Sequence, residues 1–110
     1  MADHFTIVVV EDSFVGGFLR TVLERRGYHV IPTTQQDALS LLRSPSPSVG
    51  LLITNIPQAF AEFGARIPLL YTAAFPDPEK AAGWRRWLGL RKPFQTDDLV
   101  KSVEILLAPV

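Results

Sequence analysis

Five apolar runs alternate with stretches of helical period along this chain. "FTIVVV" (5–10) is short, continuous and β-branched, the pattern of a strand buried on both faces. Phe14, Phe18, Val22 and Leu23 then fall on one helical face, with Arg20, Glu24, Arg25 and Arg26 on the polar side, and Gly27 stands where a helix-ending glycine belongs. "YHVI" (28–31) alternates like a more exposed strand. A second helix is predicted over 33–44, capped by Thr33 or Thr34, with Ala38, Leu41 and Leu42 inward. The loop "SPSPS" (44–48) leads to a third strand, "LLITN" (51–55).

The second half is more broken. "QAFAEFGA" (58–65) has room for about two helical turns before Gly64 and Pro68 end them. "IPLLYT" (67–72) is a fourth strand. Asp77 and Pro78 predict a helix start, and that helix is expected to run to about Trp87. "LGLRK" (88–92) follows as a fifth strand. "TDDLVKSVEILL" (96–107) closes the chain as an amphipathic helix, with Thr96 as N-cap and Leu99, Val103, Leu106 and Leu107 as its buried stripe. Strand and helix alternate throughout, which predicts an α/β doubly wound parallel sheet with helices on both faces. Ligand sites in such sheets lie at the carboxyl ends of the strands.

Length and composition narrow the function. A chain of 110 residues builds one domain, here 1–110, and "ILLAPV" directly after the last helix predicts no attached output domain. Eleven basic and eleven acidic side chains cancel, which argues against nucleic acid as a partner. Without cysteine there is no disulfide, thiol nucleophile or thiolate metal site. His4 and His29 alone make an improbable zinc site; His4 falls in the terminus and His29 on an exposed strand. No leader and no membrane span is predicted, so the expected location is the cytoplasm.

The strand ends carry the chemistry. The first delivers Glu11 and Asp12, the third Asn55, the fourth Thr72, and the fifth Lys92 followed by Pro93. Adjacent carboxylates are hard-oxygen ligands of the kind magnesium takes, while a hydroxyl and an ammonium suit a phosphoryl group. On "VVVEDS", "GLLITN", "PLLYTAA" and "LRKPF", in that order, the chain resembles the receiver domains of two-component response regulators over nearly its whole length. The resemblance implies a five-stranded sheet of order 2-1-3-4-5. It also implies magnesium ligands at Glu11 and Asp12, a switch hydroxyl at Thr72, a phosphate-sensing ammonium at Lys92 and a cis peptide at Lys92–Pro93.

Asn55 falls on the family's phosphoaccepting aspartate. Acyl phosphate formation needs an anionic oxygen to attack phosphorus, and a neutral amide does not supply one. Magnesium binding should weaken for the same reason. Two more departures accompany it. The stretch from Asn55 to Thr72 is roughly one helix shorter than the family's, and Gly89 stands where the family often carries an aromatic switch residue.

The implied function is a degenerate receiver, not an enzyme, that signals by binding a histidine kinase, another regulator or an output enzyme. Trp84, Arg85, Arg86 and Trp87 mark the expected partner surface, since Trp and Arg are enriched at interface hot spots. The competing expectation is that at least one tryptophan is core. A homodimer through this face is a further expectation. Two alternatives stay open: magnesium-dependent phosphoryl acceptance by a substitute such as Asp12, and a small-ligand sensor at the strand-end pocket.

Overall fold

In the computed structural model, which describes residues 6–46 and 48–109, five parallel strands form one sheet in the order β2-β1-β3-β4-β5. They are β1 (Thr6–Val10), β2 (His29–Pro32), β3 (Val49–Thr54), β4 (Leu69–Ala73) and β5 (Trp87–Arg91). The helices are α1 (Ser13–Glu24), α2 (Gln35–Arg43) and α3 (Thr96–Leu107). His4 and Phe5 lie outside the described residues.

Two apolar layers sandwich the sheet, because alternate strand residues point to opposite faces. Ile7, Val9, Leu51, Ile53 and Leu70 pack with Leu19 and Leu23 of α1 and Leu99, Val103 and Leu106 of α3. On the other face Val8, Leu52, Leu69 and Tyr71 pack with Ala38 and Leu42 of α2 and with Phe60, Phe63, Ala81 and Trp84. α1 is capped by Asp12, whose Oδ1 accepts the Val15 N–H at 3.0 Å, and α2 by Thr34. The expected cap of α3 is corrected: Thr96 is the first helical residue, and Gln95 precedes it without a side-chain cap bond.

Two short 3-10 segments replace the helices around β4. The first, Pro57–Phe63, is the shortened element foreseen from the sequence. The second is a correction, because Pro78–Ala81 makes one 3-10 turn and no helix continues to Trp87. Gly83 takes a positive φ of 90°, which breaks any helix there, and the chain enters β5 at Trp87. Gly83 also abuts the first segment: a Cβ on Gly64 would lie 2.1 Å from the Gly83 carbonyl oxygen. The Arg85 N–H donates to the Gly64 carbonyl at 3.1 Å. The two segments are locked backbone to backbone, leaving no room for a longer helix.

That packing removes the shared tryptophan face. Trp84 is buried, and its Nε1–H donates to the Pro57 carbonyl at 3.1 Å, so it is core. Trp87 stands on β5, tilted 48° against Tyr71 with ring centroids 6.1 Å apart. Arg86 donates to the carbonyls of Ile105 and Leu106, closing the carboxyl end of α3. Arg85 alone of the four is exposed.

α1 also departs from expectation. Its buried stripe is Gly16, Leu19 and Leu23, whereas Phe14 is 85% exposed and Phe18 41%. The aromatic row stands to one side of the row that meets the sheet.

Candidate functional site

Parallel pairing carries every strand to the same edge, and the polar residues expected there arrive together. Glu11 follows β1, Asn55 follows β3, Thr72 ends the buried part of β4 and Lys92 follows β5. The Lys92 N–H donates to the Ala73 carbonyl at 2.8 Å, anchoring that turn to β4. The Lys92–Pro93 peptide is cis.

Glu11 organises this edge. Its side chain is fully buried, and both carboxylate oxygens meet the Lys92 ammonium, at 3.0 and 2.9 Å. The Thr72 hydroxyl, itself fully buried, donates to Oε2 of the same carboxylate. A carboxylate removed from water needs partners for its charge and its lone pairs, and Lys92 and Thr72 supply them. Both donors therefore already hold an anion that belongs to the chain.

Asp12 and Asn55 are differently placed. Asp12 is exposed, and its Oδ1 is committed to the first turn of α1. Asn55 is exposed at the tip of β3. Sequence reasoning passed over Thr54, the residue that sets this tip. Its buried hydroxyl donates to the Val10 carbonyl at 2.9 Å and accepts the Ile56 N–H at 3.1 Å. β1 and β3 are thus tied together where Glu11 and Asn55 emerge. A threonine immediately before the polar strand-end residue was the available signal.

Gly89 pairs with Tyr71 across β4 and β5, and Pro76 lies over it, 3.1 Å from where a Cβ would stand. His29 is exposed on β2. Among the described residues no group of three or more His, Cys, Asp or Glu side chains is arranged to hold a metal, and no helix is long and apolar enough to cross a membrane.

No protein-family model matches the chain, and no curated protein matches it. Solved structures do match. A response regulator receiver protein from Sinorhizobium medicae aligns over 96% of this chain and 95% of its own, at 21% identity and a TM-score of 0.79. The signal receiver domain of an HD domain-containing protein from Pseudomonas fluorescens aligns over 97% and 89%, at 20% identity and a TM-score of 0.78. A response regulator from Thermotoga maritima aligns over 97% and 100%, at 20% identity and a TM-score of 0.76. With its 2-1-3-4-5 parallel sheet, the chain has the fold of the response-regulator receiver domains.

Proposed function

We propose that this chain is a signal receiver of a two-component system that accepts no phosphoryl group and acts by binding another protein. One observation carries the reading: the buried Glu11 carboxylate holds both the Thr72 hydroxyl and the Lys92 ammonium, while the β3 tip offers only the neutral Asn55 amide. A phosphoryl group arriving at this edge would find no anionic nucleophile and two donors already engaged.

The donor set fits magnesium poorly for the same reason. Glu11 is shared between Thr72 and Lys92, Asp12 spends one oxygen on α1, and Asn55 contributes no charge. A hard divalent cation is held by concentrated anionic oxygen, and Lys92 already neutralises the one buried carboxylate. The domain is accordingly held in one state, and its signal is the presence of a folded partner surface. Histidine kinases, other regulators and output enzymes are the partner classes, as expected of a domain that performs no chemistry itself.

Intact mass spectrometry after incubation with magnesium and a small phosphodonor such as acetyl phosphate tests this reading. Wild type is expected to gain no mass. A stoichiometric gain of one phosphoryl group would sink the proposal and point to a substitute acceptor such as Asp12. Asn55→Asp restores an anionic oxygen at the β3 tip, and this variant is expected to take up one phosphoryl group under the same conditions. An inert Asn55→Asp would move the cause from the amide to the Glu11 arrangement.

A further inference from the structure

We propose that the outer face of α1 is a self-association surface that packs antiparallel against the same face of a second copy of this chain. Single exposed apolar residues are ordinary on a protein surface, but these are contiguous and shaped. Phe14 projects from the first turn of α1 at 85% exposure. Beside it lies an apolar cleft of about 370 Å³, lined by Phe14, Val15, Phe18, Lys92, Pro93 and Phe94. Phe18 and Phe94 form its floor with ring centroids 6.1 Å apart. One surface thus carries both a projecting aromatic ring and a recess able to receive one, which is what a twofold interface requires.

Charge favours a copy over an unrelated partner. Phe14, Phe18, Thr21 and Arg25 stand three or four positions apart, so they form one stripe along α1. The stripe ends in the exposed Arg25, with Arg26 beside it. At its other end lies Asp12, and the exposed Asp97 and Asp98 open α3 just beyond Phe94. The surface therefore reads acidic, aromatic, then basic. Turned end for end about an axis between Phe14 and Phe18, it sets each Phe14 toward the recess of the other copy and the Arg25 end of each α1 toward the acidic end of the other. In parallel register like charges would meet.

The contact is one helix of 12 residues, about 18 Å long, with one loop. That is less than the surface of an obligate dimer, so the association is weak and concentration-dependent. It is independent of the phosphorylation reading: a monomer that takes no phosphate would sink one proposal and leave the other.

Sedimentation equilibrium of the full chain, from low to high micromolar concentration, tests it. The average mass is expected to climb from 12.2 kDa toward twice that value. Phe14→Asp alters an exposed position, so the fold is retained, and it should weaken dimerisation at least about tenfold. Arg25→Glu should weaken it about threefold, and adding Asp97→Arg and Asp98→Arg to that variant should bring it back, because the charges are exchanged in register. A wild type that stays monomeric throughout overturns the proposal and leaves the cleft to a different partner. A dimer indifferent to Phe14→Asp overturns it as well.

Discussion

Gly64→Ala is expected to lower the unfolding free energy by about 3 kcal/mol, at the upper end for overpacking. The added methyl would lie 2.1 Å from the Gly83 carbonyl oxygen and 3.1 Å from the Trp84 Cα, so backbone must move. Gly64 has an ordinary helical φ of −62°, which makes the penalty one of space and not of conformation. The displaced backbone also carries the Gly64–Arg85 hydrogen bond, and Trp84 with its bond to Pro57 is next in line. Gly17→Ala is the control. Nothing lies within 4 Å of a Cβ there, so an alanine on exposed α1 should stabilise by about 0.5 kcal/mol. Urea unfolding at low protein concentration reads both. Equal effects of the two substitutions would show that the 3-10 segments are not locked as described.

Glu11→Gln is the second large effect, with an expected loss of about 2 kcal/mol. Breaking a buried ion pair by neutralising one partner commonly costs 3–5 kcal/mol, and the 26% exposure of the Lys92 side chain reduces that figure. The amide keeps the size of the carboxylate and can still accept from Thr72, so the loss isolates the charge. Lys92→Met alone should also destabilise, since it leaves the Glu11 carboxylate buried with only the Thr72 hydroxyl. The double variant should then lose less than the sum of the two, with a coupling of about 1 kcal/mol or more by double-mutant cycle. Additive losses would mean that Lys92 and Glu11 do not act as a pair.

Much of this was legible in the chain itself. Continuous β-branched runs such as "TIVVV" identify strands buried on both faces, and strand-helix alternation leaves few topologies. The five strand-end residues could be picked out because each lies within two residues of the end of an apolar run. What periodicity could not supply was the direction in which a side chain turns at a strand end. Nothing in "VVVEDS" says that Glu11 folds inward to Lys92 while Asp12 caps α1.

The misreadings have physical causes too. Trp84 and Trp87 stand three apart and imitate a helical face, yet Gly83 at positive φ and the close passage of Gly64 divide the stretch into a buried turn and a strand. In α1 the large Phe14 and Phe18 drew the apolar stripe toward themselves. The helix instead buries the row of Gly16, Leu19 and Leu23. Tertiary packing decided both cases over local pattern. In the second it left aromatic surface unaccounted for by the domain's own core.

In the proposed receiver, Thr72 and Lys92 are already committed to Glu11 and do not respond to phosphate. Amide NMR spectra of wild type, recorded with and without magnesium and acetyl phosphate, test it most directly. The Thr72 and Lys92 signals are expected to keep their positions. A second set of signals for these two residues that grows in with the phosphodonor would contradict it.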